Sequence, residues 1–268
     1  KERSILLKKE NFLSNKKNIY IENFLEKQKF IVKENQTIFF KDTGNIKDLD
    51  IYLENAISSK FVIYGSNLIN AKIKLTSPND NKKLISNYDE NLITGCLTIV
   101  NSKINISSIE VLNAKCEDGL NFIDVNGTVK STKIKNSRSD SLDADFSKIN
   151  FEEILVLDSK NDCVDFSGGN YQIKRLNVKN CGDKGLSVGE RSQVYVKDFI
   201  SKNNKIDFVS KDSSKLYLYE FISNKQSNEI CGSAYNKKQE FNGGQIIFKS
   251  SPNCVIEKDE FSKVTFKK

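Results

Sequence analysis

The sequence predicts an all-β fold, a right-handed parallel β-helix with about 22 residues per coil. The first observation is a repeat. Leu112, Ile134, Val156, Val178, Ile200 and Ile222 stand 22 apart, and so do Leu120, Leu142, Val164, Leu186, Phe208 and Ile230. Two apolar columns on one period mark a stack of equivalent units. The second observation is texture. Segments such as Gln193-Val194-Tyr195-Val196 and Lys215-Leu216-Tyr217-Leu218 alternate and are rich in β-branched or aromatic residues, as strands are. Helical solenoids have longer periods, of roughly 33 to 47 residues, and the leucine-rich signature is missing. The third is a column of turn formers, Asn136, Asp158, Asn180 and Asn224, with Ala114 and Lys202 filling the remaining places. Asn and Asp tolerate turn conformations and bond neighbouring backbone, so this column reads as a ladder along one corner. Phe122, Ala144, Phe166 and Val188 form a further, mostly apolar column two residues beyond Leu120. The shared parity places both columns inside.

Along the chain, residues 1–60 read as an N-terminal capping segment with the first strands. Solenoid ends need such protection against edge pairing. Residues 61–268 read as the β-helix, with loop insertions near 76–94 and 232–243. Hydrophobic residues make up 38%, too many for a chain disordered by composition. No apolar run reaches the ~18 residues of a membrane span. The chain opens on Lys1 without an apolar signal segment, so a processed or trimmed chain is expected.

The net charge of +7 suits an acidic polysaccharide, a membrane surface or nucleic acid, or reflects only a Lys-rich codon bias. No basic block is interleaved with aromatics, so nucleic acid is not expected. The chain has no His, which removes Ser-His-Asp and Cys-His mechanisms and imidazole acid–base chemistry. Its six Cys form no CxxC pair, so zinc and thioredoxin-like chemistry are not expected. Up to three disulfides are allowed. Cys96 with Cys116 and Cys231 with Cys254, 20 and 23 apart, are spaced for adjacent coils.

Candidate chemistry flanks the Leu120 column. Asp118, Asp140 and Asp162 precede it by two residues, and Lys184 takes that place in the next coil. Asn121, Asp143, Asp165 and Ser187 follow it by one, and Asp145 lies two further on. Stacked carboxylates repel unless protonated or bridged by a cation. Oxygen donors without His or Cys favour Ca²⁺ over zinc. Lys184 would serve as a base if a metal and Arg191 depressed its pKa. Three readings stay open for the acids: turn formers, a cation site and a catalytic site. The glycine-rich Gly182–Glu190 run lacks the spacing of a phosphate loop and reads as tight turns.

From Asp118 to about Gly244 the chain resembles a family of bacterial right-handed β-helix proteins. The residues that carry the likeness are Asp162-Cys163-Val164-Asp165-Phe166-Ser167-Gly168, Gly182 through Glu190, Ser210-Lys211-Asp212 and Ala234-Tyr235-Asn236-Lys237-Lys238. Similar repeats accompany spore-coat-type kinase (CotH-like) modules in large surface proteins. A more distant likeness is to the pectate-lyase-like superfamily, in which one lyase family binds Ca²⁺ through Asp on adjacent coils and uses a Lys base. Carried over by coil position, that likeness implies Asp140, Asp143, Asp162 and Asp165 as metal ligands and Lys184 as base. The Asn-Thr-Asp and Arg-Ile-Lys motifs of pectin hydrolases are missing, as is the His of polygalacturonases and many uronate epimerases. Elimination is therefore favoured over hydrolysis or epimerisation. The expected protein is secreted or on a cell surface and engages carbohydrate, as a Ca²⁺-assisted polyuronate lyase. The alternative is a non-catalytic structural or adhesive module, and a phage-tail or adhesin segment is a third reading. Oligomeric state is not legible.

Overall fold

The computed structural model describes residues 18–55, 57–79 and 93–266. These residues form 21 strands in one wholly parallel, right-handed solenoid. Strands β1 (Asn18–Asn23) and β2 (Lys27–Val32) form the first coil. Beside them lie β3 (Thr37–Asp42) and β4 (Asp48–Leu53), then β5 (Lys60–Tyr64), β6 (Asn67–Ile69) and β7 (Lys72–Thr76). Residues 18–53 are thus already coils of the same stack, with β1 paired to β3 and β2 to β4. Of the capping segment expected in residues 1–60, residues 1–17 lie outside the described residues.

The next two coils are single long strands that bend around the corners, β8 (Gly95–Leu112) and β9 (Asp118–Ser137). Beyond them each coil divides into a short and a longer strand. These are β10 (Asp140–Asp145) with β11 (Lys148–Ser159), β12 (Val164–Ser167) with β13 (Asn170–Cys181), and β14 (Lys184–Gly189) with β15 (Gln193–Lys202). Then come β16 (Ile206–Lys211) with β17 (Lys215–Ser223), β18 (Ile230–Tyr235) with β19 (Gln245–Phe248), and β20 (Val255–Lys258) with β21 (Lys263–Phe266). The first expected insertion falls between β7 and β8, and residues 80–92 of it lie outside the described residues. The second starts after Tyr235, not at 232, because Gly232 is still within β18.

The interior follows the Leu120 column. Leu97, Leu120, Leu142, Val164, Leu186 and Phe208 are register partners, and all are buried. In the neighbouring column Ala144 sits between Phe122 and Phe166, so small and large side chains alternate and interdigitate. The partner of Phe208 in the following coil is Gly232, not Ile230. A Cβ at Gly232 would lie 2.0 Å from the Phe208 ring, so the ring occupies the space that glycine leaves open.

The Leu112 column needs correction at both ends. Ile134, Val156 and Val178 are in register, but their neighbours are Val111 and Ser201. Two coils therefore hold 23 residues at this corner, and a one-residue slip exchanges the faces of a strand. Leu112, Ile200 and Ile222 turn outward as a result, Ile222 to 61% exposure.

The same extra residues shift the amide ladder. Asn113 and Asn203 occupy the places assigned to Ala114 and Lys202. Asn136 donates to Asn113 (2.8 Å), Asn180 to Asp158 (2.7 Å), Asn203 to Asn180 (3.3 Å) and Asn224 to Asn203 (2.8 Å). Asn113, Asn136, Asp158, Asn180 and Asn203 all have φ between 54° and 63°, the left-handed region these residue types tolerate best after glycine.

Three disulfides, Cys96–Cys116, Cys163–Cys181 and Cys231–Cys254, each join the start of a coil to its end. The first and third are the pairs that spacing indicated. The second was not read from spacing, because its partners are only 18 apart. Closing a loop of that length is worth about 3 kcal/mol through the unfolded state. The double substitution Cys163→Ser with Cys181→Ser is expected to lower stability by about that amount in urea titration. An unchanged midpoint would show that the link contributes nothing.

A candidate acidic strip on one face of the solenoid

The candidate residues lie on the face built by the start of β8, then β9, β10, β12, β14, β16 and β18. Three outward positions recur on each coil. The first holds Asp118, Asp140, Asp162 and Lys184. The second holds Thr98, Asn121, Asp143, Asp165 and Ser187, which are register partners in that order. The third holds Asp145, Ser167 and Gly189 in register, with Lys211 in the next coil 22 residues on. Strand pairing thus brings Asp118, Asn121, Asp140, Asp143, Asp145, Asp162, Asp165 and Lys184 onto one strip. Adjacent rungs are ~4.8 Å apart.

The acids divide by what their oxygens do. Asp140 Oδ1 accepts from the Asp162 backbone N–H (2.8 Å) and from Asn161 Nδ2 (2.7 Å). Asp162 Oδ1 accepts from the Lys184 backbone N–H (2.9 Å). Both therefore act as turn formers, each satisfying an amide of the following coil. Asp143, Asp145 and Asp165 face outward from the strands with no such backbone task among the described hydrogen bonds. Asn121 Nδ2 ties the upstream end together, donating to Asp118 (3.2 Å), Asp143 (3.3 Å) and Thr94 Oγ1 (3.1 Å).

This crowding raises the carboxyl pKa values. Burial first, then neighbouring carboxylates, push Asp143 up to about 10. Burial is also the main cause for Asp118 and Asp140, each raised to about 7, and for Asp145, raised to about 6. Asp162 is raised by burial against the pull of Lys184.

Lys184 differs from the expected base. Burial alone would lower its pKa, but its bond to Asp183 and the charge of Asp162, 3.4 Å away, together raise it. A base needs the opposite shift, so the premise of a depressed Lys184 does not hold in this arrangement. Arg191 does not join it. It lies in the turn after β14, donates its backbone N–H to Asp212 O, and packs its guanidinium 5.1 Å from the centre of the Phe241 ring.

Lys211 was missed as a site residue. It lies in the Asp145 column, a signal available at the same 22-residue period. Its stem runs over Gly189, where a Cβ would come within 2.7 Å of Lys211 Cε. Its ammonium lies 3.7 Å from Asp165 Oδ2, and the residue is 8% exposed. Four buried atoms of the second column, Thr98 Oγ1, Asn121 Oδ1, Asp165 Oδ1 and Ser187 Oγ, have no hydrogen-bond partner among the described residues.

The Ca²⁺ ligands that the likeness implies are Asp140, Asp143, Asp162 and Asp165. Among the described residues, no three Asp, Glu, Cys or His side chains gather into a metal-holding group. Asp140 and Asp162 also spend oxygens on backbone amides. No helix among the described residues is long and apolar enough to cross a membrane. Comparison with family models, curated proteins and solved structures finds no match to the chain.

Proposed function

We propose that this β-helix is a carbohydrate-engaging module of a secreted or surface protein, and that the acidic strip is the face that meets the glycan. One observation carries this reading. The strip aligns polar groups on successive rungs and leaves buried polar atoms without partners. Buried polar groups are normally paired, and a sugar chain presents hydroxyl groups along an extended line. Three disulfides favour an oxidising compartment. The likeness to pectate-lyase-like and kinase-associated β-helices agrees with this reading and rests on the quoted residues alone.

Within this reading, binding is favoured over elimination, because Lys184 is held as an ammonium between Asp162 and Asp183. Ca²⁺ enters the proposal only as a companion of the glycan, which would have to supply further oxygen donors. The test is a panel of acidic, neutral and amino glycans titrated with and without Ca²⁺, with ultraviolet detection of unsaturated products. The expected result is saturable binding of one class, weakened by Asp143→Asn, with no unsaturated product. Failure of the folded protein to bind any glycan would leave a purely structural spacer. An unsaturated product that disappears in Lys184→Ala would restore the lyase.

A further inference from the structure

We propose that the strip takes an amino-sugar polymer, its ammonium groups lying over Asp118, Asp140, Asp143 and Asp145. This rests on the carbohydrate reading and adds the charge of the ligand. The downstream end of the strip already shows the pairing. Lys184 Nζ lies 3.4 Å from Asp162, and Lys211 Nζ lies 3.7 Å from Asp165. The protein's own ammonium groups thus cover the acids of that coil. On the two coils above, Asp118, Asp140, Asp143 and Asp145 have no ion-pair partner among the described residues. A ligand ammonium on each rung continues the series that the lysines begin.

A second observation points the same way independently of the acids. Asn121, 2% exposed, stands between Asp118 and Asp143, and its Oδ1 has no partner among the described residues. An amide oxygen only accepts, so the group it lacks is a donor. Ser187, fully buried in the same column beside Asp165, has an unpartnered hydroxyl that can accept as well. The carboxylate of a uronate would bring acceptors to acceptors, whereas an ammonium brings only donors.

The line also matters. The carboxylates lie along rungs ~4.8 Å apart, and among the described residues no three of them gather around one point. A 1,4-linked pyranose chain laid along the solenoid axis advances by nearly one rung per sugar. The four unpaired acids lie on two neighbouring coils, so two adjacent sugars that each bear an ammonium match them.

Calorimetric titration tests this with a glucosamine hexamer, its fully N-acetylated form, an oligogalacturonate and Ca²⁺ alone. Each titration is run near neutral pH. The glucosamine hexamer is expected to bind about tenfold or more tightly than the acetylated one. The double variant Asp143→Asn with Asp145→Asn should lose about tenfold in affinity, while Asp50→Asn, at an exposed position of β4, should not. Both changes keep side-chain size, and a melting curve confirms that each variant is folded. Equal or tighter binding of the acetylated or galacturonate oligomer would overturn the charge assignment and leave the carbohydrate reading standing. Ca²⁺ binding alone that is lost in the double variant, without glucosamine binding, would make the strip a metal site. No binding by any glycan would remove both readings.

Discussion

Phe166→Ala is expected to destabilise the protein by about 3–5 kcal/mol, as truncation of a buried aromatic does. Phe166 is fully buried at the middle of the solenoid, in register with Ala144 and Val188. Its ring stacks on Tyr171 at 4.2 Å and meets Phe151 at 6.0 Å, and Phe151 in turn meets Phe122 at 6.0 Å. Ala144 above it is too small to fill the space, so the cavity would stay open. In a solenoid each coil contacts mainly its neighbours. The loss should therefore appear as easier local opening near residues 140–200, before global unfolding. Urea titration followed by limited proteolysis reads both effects. A midpoint shift equivalent to less than ~1 kcal/mol would show that this ring is not part of a packed interior.

Stability is expected to fall as pH rises, the reverse of the behaviour of an ion-paired carboxylate. In the unfolded chain these acids ionise near 3.8, whereas in the fold Asp145 is raised to about 6, Asp118 and Asp140 to about 7, and Asp143 to about 10. Below pH 3.8 both states are protonated and the strip costs nothing. Above it the unfolded state releases protons that the folded state retains, and stability is lost progressively until pH passes the folded values. The window runs from about 4 to about 10, with the steepest loss where most of the acids lag, between about 4 and 7. Asp143→Asn removes the ionisation and keeps the shape, and Asn can still bond Asn121. We expect it to raise stability at pH 8 by roughly 1–3 kcal/mol and to change little at pH 4. For a chain of this size that is a shift of several degrees in melting temperature, at about 2–4 °C per kcal/mol. A variant less stable than wild type at pH 8, or a wild type that gains stability from pH 5 to 9, would contradict the crowded strip.

Much of the fold was legible because the repeat averages over coils. Leu120, Leu142, Val164, Leu186 and Phe208 keep one spacing, and each is register partner to the next. The Leu112 column failed where two coils hold an extra residue, because Val111 and Leu112 are both apolar and either fits the pattern. Asn113 and Asn203 were displaced for the same reason. Within the site, the sequence aligned the acids correctly but left their roles open. Asp140 and Asp143 look alike in a list of columns. One bonds the backbone of the next coil, and the other faces outward without that task.

From the sequence alone follow the 22-residue period, the β character and the alignment of Asp118, Asp140, Asp143, Asp145, Asp162 and Asp165 on neighbouring coils. These are properties of spacing, and spacing survives without coordinates. Tertiary structure alone decided which corner absorbs an extra residue, which carboxylate oxygens amides consume, and that Lys211 lies over Gly189 while Arg191 packs on Phe241. Those outcomes depend on side-chain direction and on charge in a shared, partly dry space, which arise only when separate coils are stacked.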